Sequence, residues 1–411
     1  MSLFFAPSRK LAAARLERGG PRVYDPRERL ALGVLDVSLR VASPLLGLRP
    51  RRPAIDVRDA KRILVLRLDR LGDFLTTLPA LEALRLAAPD AHIELGVGSW
   101  NEPIARRLSF VDAVRIVDTP WAAWGQRVRF ADAREALAGD PPDLAIDFQG
   151  DVRVVLLMAM TQAKLRAGYG DTGGAYLLTH RARWNETRSW YWQNLELVRT
   201  LFPHVEERMQ PVNFVTQEDR RRAGALLEGA PPRPAPLVGI HPSAGRALKQ
   251  WEAEKFAALV DAMANEARVV VTGSSADREL VDAIAAKATS RPETLLGADL
   301  ATFAALVERF DVFVTGDTGP MHLSHAVGTA NVAIFGPSDP VRYGPEGSLG
   351  LRRVVRQPVY CSPCNMIRRP PAECARAKAP ECIAGITVEQ VLEAVHAALR
   401  ETDASGPARK A

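Results

Sequence analysis

From residue 62 onward, short β-branched runs alternate with helical segments, and most runs empty into a loop carrying glycine or a carboxylate. Strands separated by helices cannot pair as hairpins, so the pattern calls for parallel sheets covered on both faces. The first series places strands at 62–68, 91–97, 113–117 and 143–147. Helices fall at 71–88, with Pro79 giving a late start or a kink, and at 102–108 and 152–161. A less regular stretch follows at 184–209. A second series has strands at 237–241, 268–272, 311–314 and 331–334, with helices at 217–227, 252–264, 276–288, 299–308, 320–327 and 387–400. Between them lies a stiff proline-rich loop at 230–236. The prediction is an α/β protein of two doubly wound halves facing across a cleft, with ligands at the carboxyl ends of the strands.

The stretch 312–328, VFVTGDTGPMHLSHAVG, has the form of an anion cradle. A buried strand runs into Gly316-Asp317-Thr318-Gly319, and a helix opens at about Pro320. Unpaired N–H groups and the helix dipole suit a diphosphate there, and Pro costs no donor in a first turn. An ordinary helix capped by Asp317 or Thr318 explains the same residues. The glycine spacing is neither the dinucleotide fingerprint nor the Walker loop. His322 is placed to reach a phosphate, whereas His325 reads as a packed helix residue. The strand at 237–241 opens into Ser243-Ala244-Gly245, then Lys249 before Trp251, where a lysine supplies compact positive charge to phosphate oxygens; a solvated surface lysine is the alternative. The strand at 268–272 ends in Gly273, and a carboxylate beyond it, Glu279 included, could meet ribose hydroxyls, although capping by Ser275 accounts for the turn equally well.

In the first series, strand one runs into Asp69-Arg70-Leu71-Gly72-Asp73. Asp73, on a glycine-relieved turn at the ligand-facing edge, is placed to accept a proton or to cap a helix. Arg70 either pairs with Asp69 or Asp73 or faces an acidic substrate. Trp190, Tyr191 and Trp192 could stack on a sugar or fill core.

Charge is uneven. Residues 1–62 hold fourteen Lys/Arg and six Asp/Glu, a net +8, so the remainder nets −2 against the chain's +6. Within that arm, residues 29–43 fit a helix with Arg29, Asp36, Arg40 and Ser43 on one stripe and aliphatic residues over the rest, followed by Arg49, Arg51 and Arg52. Such a helix either docks on an anionic membrane surface or packs on the protein's own body. Basic residues without interleaved aromatics do not point to nucleic acid. No apolar stretch reaches the roughly 18 residues of a membrane span. Cysteines are confined to Cys361, Cys364, Cys374 and Cys382, which suits a reducing, cytoplasmic setting. The cluster reads as a tetrathiolate metal knuckle, as free thiols or as a disulfide, so a metal site is left open.

Taken together, ILVLRLDRLGDFLTTLPAL, AIDFQGD, GIHPSAGRALKQW, TGSSADRE and VTGDTGPMHLSHAVG, in that order, resemble glycosyltransferase family nine, the ADP-heptose:lipopolysaccharide heptosyltransferases. The resemblance covers about 61–399. It implies the two-domain GT-B fold, with a Rossmann-like acceptor domain (61–213) and a Rossmann-like sugar-nucleotide domain (214–399); outside it lie a basic N-terminal arm with an amphipathic helix (1–60) and a polar tail read as disordered (400–411). The resemblance also implies an inverting transfer of heptose from ADP-heptose to an anionic, lipid-linked core acceptor. No cofactor is needed, and the protein would be cytoplasmic, at the inner face of the inner membrane. Asp73 lands on the general base, with Lys249 as the second catalytic group. Ser243, Ala244, Gly245, Lys249, Gly273, Glu279, Asp317, Thr318, Gly319 and His322 land on the donor side, and Arg70, Gly72 and Gln149 on the acceptor side. A transferase of the same family acting on a protein or another surface glycan, and a non-catalytic sugar-nucleotide-binding protein, are the alternatives.

Overall fold

The structure is a computed structural model and describes residues 26–50, 55–123, 127–185, 187–228, 235–344, 352–364, 374 and 380–404. The chain divides into two units, Met1–Arg208 and Met209–Ala411. The first holds strands β1 (Arg62–Arg67), β2 (His92–Val97), β3 (Ala113–Ile116), β4 (Leu144–Asp147), β5 (Leu165–Tyr169) and β6 (His180–Ala182). They form one sheet in the order β3-β2-β1-β4-β5-β6, every pair parallel. The second holds β7 (Leu237–His241), β8 (Arg268–Gly273), β9 (Glu293–Leu296), β10 (Val312–Gly316), β11 (Ala330–Phe335) and β12 (Arg352–Arg356). Its order is β12-β11-β10-β7-β8-β9, again wholly parallel.

Both orders reverse direction at the centre, between β1 and β4 in one unit and between β7 and β10 in the other. Loops leaving adjacent strands part company at such a switch point, opening a crevice at the carboxyl edge. The central strands are apolar almost end to end because helices cover both faces. β1 is buried from Ile63 to Arg67, and β10 throughout. In the first unit Leu64, Leu66 and Leu68 pack on Val154, Val155 and Met158. In the second, Val238, Ile240, Val312 and Val314 share a core with Phe256, Val260, Val391 and Val395.

The structure departs from the sequence reading in specific places. The expected helix at 71–88 is two helices, Leu71–Leu75 and Leu78–Ala87. Pro79 lacks an N–H and so sits in the first turn of the second helix, starting it rather than kinking a longer one. The stretch read as irregular contains the helix Trp190–Leu201, capped by the Ser189 hydroxyl, which accepts from the Trp192 N–H at 3.4 Å. Strands β5, β6, β9 and β12 were not foreseen. The last helix, Val388–Ala404, runs beyond 400. The first 25 residues, Arg51, Arg52, most of the proline-rich loop and residues 405–411 lie outside the described residues.

Candidate active site

In the first unit, β1 and β4 pair with Leu66 beside Asp147, so the loops after them leave one sheet edge together. Arg67, the last residue of β1, is fully buried, and its guanidinium organises this edge. Nε lies 2.9 Å from Asp69 Oδ1, and a terminal nitrogen lies 4.0 Å from Asp73 Oδ1. Nη1 donates to the Phe148 carbonyl, and the group sits 5.1 Å from the Trp190 ring centroid. Arg67, a residue the sequence reading did not single out, thus lies near both aspartates. Arg70 is exposed at the N-cap of the helix Leu71–Leu75, whose first turn carries Gly72 and the partly exposed Asp73.

Asp69 is fixed through its backbone, whose carbonyl accepts from Trp100 Nε1 at 2.8 Å and Asn101 Nδ2 at 3.2 Å. Asp147 is fully buried at the end of β4, and burial pushes its carboxyl up to about 7. The N–H groups of Gln149 (2.8 Å) and Gly150 (3.2 Å) donate to that carboxyl and oppose the shift only in part. Gln149 follows, with Oε1 shielded and unbonded among the described residues. Trp190 stacks edge-on against Trp184 at 4.3 Å, Tyr191 is buried, and Trp192 lies 4.1 Å from the Arg188 guanidinium. The aromatic run thus braces Arg67 and the core.

In the second unit, β7 and β10 pair with His241 beside Thr315, again bringing two loops to one edge. Lys249 ends a 3-10 turn, Ala247–Lys249, and its Nζ donates to Asp317 Oδ2 at 2.5 Å and to the Asp317 carbonyl at 3.1 Å. The ring of Tyr343 lies 5.8 Å away. Burial, the largest influence on Asp317, would raise its carboxyl. The Lys249 charge and hydrogen bond, with the Ser338 hydroxyl and His322, outweigh it and hold the carboxyl below its ordinary value.

This geometry separates the alternatives the sequence left open. Asp317 does not cap the helix Gly319–Ala326, because its carboxylate is turned to Lys249. Thr318 occupies the N-cap without a side-chain cap bond, its hydroxyl lying 3.2 Å from Thr315 Oγ1. The first turn is left without a side-chain cap, and Lys249 is not a solvated surface lysine: its side chain is only 16% exposed. His322 is buried nearby, and His325 is fully buried, in keeping with a packing role.

The loop 242–250 is tied down by Gln250, which accepts from the Ala244 N–H at 3.0 Å and donates to the Pro242 carbonyl at 2.7 Å. Ser243 Oγ lies 2.9 Å from His241 Nε2, and His241 Nδ1 lies 3.1 Å from Thr272 Oγ1. Burial pushes His241 down to about 4, so its ring is neutral near pH 7 and each nitrogen meets a hydroxyl able to donate or accept. A methyl group at Gly245 would meet nothing within 4 Å.

The family model described as glycosyltransferase family 9 (heptosyltransferase) matches residues 131–370, more than half of the chain. The chain belongs to that family. It is 26% identical over 288 residues to lipopolysaccharide heptosyltransferase 3 of Escherichia coli K12, covering 67% of this chain and 82% of that one. A solved family 9 glycosyltransferase from Veillonella parvula superposes with TM-score 0.71 at 23% identity, over 84% of this chain and 98% of that one. The E. coli heptosyltransferase WaaC solved with ADP-2-deoxy-2-fluoro heptose gives TM-score 0.61 at 20% identity, over 82% and 99%. The protein is thus a glycosyltransferase with the GT-B fold expected from its sequence.

The neighbouring residues of the second unit are placed as follows. Trp251 is core: its indole N–H donates to the Ile386 carbonyl at 3.1 Å. Glu279 is exposed on the helix Arg278–Lys287. Capping after Gly273 falls to Ser274, not Ser275, because a 3-10 turn (Ser275–Asp277) precedes that helix and moves the cap one residue earlier. The Asp277 carboxylate accepts from the Ser274 N–H at 2.7 Å and from its hydroxyl at 2.6 Å. Among the described residues no group of three His, Cys, Asp or Glu side chains is disposed to hold a metal. None of the four cysteines is in a disulfide, and burial, with the other three thiols nearby, pushes Cys382 up to about 11.

Proposed function

We propose that this family 9 enzyme moves a heptose from ADP-heptose to a lipid-linked, anionic lipopolysaccharide core acceptor, inverting the anomeric centre, at the cytoplasmic face of the inner membrane. The observation that carries the reading is the Lys249–Asp317 pair beside a helix N-terminus that no side chain caps. A fixed ammonium and the N–H groups of a helix start whose N-cap residue makes no side-chain bond suit a departing diphosphate. Support for the sugar and acceptor comes from relatives that are lipopolysaccharide heptosyltransferases, and from WaaC solved with a fluorinated ADP-heptose.

On this reading Asp73 takes the proton of the acceptor hydroxyl as its oxygen attacks the anomeric carbon. The bond from that carbon to the diphosphate oxygen breaks, and ADP leaves with the electron pair. Lys249 and the N–H groups around Thr318 and Gly319 hold the charge that builds on the diphosphate. Ser243, Ala244 and Gly245 line the donor loop with Gly273, Glu279 and His322 at its borders. Gly72 lets the acceptor approach Asp73, Arg70 answers its anionic groups, and Gln149 lies on the acceptor side. Lysine and helix dipole do the work that a metal does in other transferases.

The test is a donor screen read by ADP or UDP release, with and without a truncated lipid acceptor. ADP release that depends on both ADP-heptose and lipid acceptor is expected; turnover only with a protein or lipid-free glycan would replace the acceptor assignment. Asp73→Asn and Asp73→Ser should lower kcat by roughly 10²–10⁴ while leaving ADP binding intact. Normal turnover in either variant would remove Asp73 from the chemistry.

A further inference from the structure

The helix Pro26–Ala42 is mounted on the first unit in an unusual way. A surface helix of a globular protein ordinarily turns its apolar stripe inward and its polar stripe to water. Here polar groups take part in the mounting. Asp36 Oδ1 accepts from the Gly174 N–H at 2.8 Å, and the Asp36 carbonyl accepts from the Tyr176 hydroxyl at 2.8 Å. Glu28 accepts from Arg153 Nη1 at 2.8 Å, and the Arg40 guanidinium lies 5.9 Å from the Tyr176 ring. Leu32 is buried beneath the helix. Just past its end, Leu48 is buried and its carbonyl accepts from Arg166 Nη1 at 2.8 Å.

The opposite face is aliphatic and open. Leu30, Val34, Val37 and Val41 follow the i, i+4, i+7, i+11 spacing of a single stripe, about 17 Å long at 1.5 Å per residue. Leu45 and Leu46 extend the row beyond the helix end. All six are between 60% and 90% exposed. They account for more than half of the large exposed hydrophobic side chains among the described residues, and such a concentration marks an interaction surface.

The charge around the stripe selects the partner. Both acidic residues of the helix, Glu28 and Asp36, are spent on the body of the unit, whereas Arg27, Arg40 and Arg49 are exposed beside the stripe. The sequence adds Arg51 and Arg52 immediately after, and the arm to residue 62 carries a net +8. An aliphatic row bordered by arginines matches the boundary between acyl chains and anionic headgroups. No helix among the described residues is long and apolar enough to cross a membrane. We propose that the open face of the helix Pro26–Ala42, with Leu45 and Leu46, seats the enzyme on an anionic lipid bilayer while its other face clamps the helix to the first unit. The residues lie outside the stretch matched by the family model, and the inference stands whether or not the sugar donor is ADP-heptose.

The test uses the full chain with vesicles of phosphatidylethanolamine and phosphatidylglycerol, against vesicles of phosphatidylcholine alone. Wild type should co-sediment with the anionic vesicles, more weakly as salt rises, and bind the neutral ones at least tenfold less. Leu30→Gln/Val34→Gln/Val37→Gln/Val41→Gln keeps good helix formers on an open face, so its melting temperature and ADP affinity should match wild type. Its vesicle affinity should fall at least tenfold; Leu45→Gln/Leu46→Gln, outside the helix, should lower it less. Anionic-vesicle binding absent from wild type, or undiminished in the fourfold variant, overturns the proposal. So does a dimer that the fourfold variant dissolves without any vesicle binding in wild type, which would make a second copy the occupant. Binding that appears only when residues 1–25 are deleted overturns it too, since the stripe would then be covered by this chain's own N-terminus.

Discussion

Removing Lys249 tests two ideas at once, because the residue neutralises a buried carboxylate and is also assigned to the donor diphosphate. In Lys249→Met, Asp317 keeps its burial, at 5% exposure, and loses the ammonium 2.5 Å away. Breaking a buried pair from one side costs about 3–5 kcal/mol. The lysine side chain is 16% exposed and partly hydrated, so the cost falls at or just below the bottom of that range, about 2–3 kcal/mol. For a unit of some 200 residues that is a fall of roughly 5–10 °C in the calorimetric transition. Adding Asp317→Asn removes the stranded charge, and the double variant should recover most of the loss. Recovery of stability must not bring recovery of binding. A charge-assisted hydrogen bond contributes about 1.5–3 kcal/mol, so ADP affinity by titration calorimetry should stay roughly 10–150-fold weaker in both variants.

The pH dependence has a definite sign. Asp317 has a lowered carboxyl in the folded state, so the stability it contributes is complete above the ordinary value of 3.8 and is lost as pH falls through the folded value. The deficit of Lys249→Met should therefore be largest near neutral pH and shrink as pH falls towards and below about 4, because burial raises the carboxyl left without its ammonium. A double variant that is stable and binds ADP within about threefold of wild type would refute the donor role, leaving Lys249 as a counter-ion for Asp317.

Asp147 has the opposite sign: its folded value of about 7 lies above 3.8, so wild-type stability should decline from about pH 4 to 7. Asp147→Asn should gain about 3 kcal/mol above pH 7, roughly 4 from the abolished ionisation cost less about 1 for a lost backbone bond, and urea unfolding across that range should find the two proteins converging near pH 4. Gly273→Ala would place a methyl 2.9 Å from Leu296 Cδ2, 3.0 Å from Asp277 Cβ and 3.1 Å from Val281 Cγ2, costing about 1–3 kcal/mol in the same assay. Gly245→Ala meets nothing within 4 Å and should leave stability unchanged, so any rise in its KM for the donor would report the ligand rather than the fold.

The parts of this fold that were legible from sequence are those where burial leaves an unbroken apolar run. RILVLR and VFVTG announce central parallel strands because both their faces are covered. The edge strands give no such signal. His180–Ala182 is three residues long, and Arg352–Arg356 carries three arginines among its five residues; one open side lets charge accumulate there. The Lys249 and Asp317 loops were also legible, since glycines, a lone lysine and an aspartate follow adjacent central strands. Arg67 was missed because an arginine ending a strand reads as the point where the sheet meets water. Its signal was present in the next six residues, where Asp69 and Asp73 supply the charge needed to keep a guanidinium inside. A buried cation needs more than one partner, and three-dimensional neighbours distant in sequence, the Phe148 carbonyl and the Trp190 ring, complete the set.

The two units handle their fixed charges in unlike ways, and the difference fits the proposed chemistry. In the second unit the carboxylate sits 2.5 Å from the ammonium and a second bond to the Asp317 carbonyl removes what freedom Lys249 had left. A group that must meet charge building on a leaving diphosphate gains from having no reorganisation to do. In the first unit Arg67 spends its close contact on Asp69 at 2.9 Å and stands 4.0 Å from Asp73, outside hydrogen-bond reach. On the proposed mechanism the Asp73 oxygens then stay available to a substrate hydroxyl, while the same guanidinium still steadies the negative charge of the loop. Bringing the base as near to its arginine as Asp69 is would tie up an oxygen that proton transfer needs. Asp69→Asn supplies the discriminating case: Arg67 would then be free to close on Asp73, and kcat should fall although the base itself is intact. Unchanged kcat in that variant, with Arg67→Met equally active, would mean that the spacing of these charges serves the fold alone.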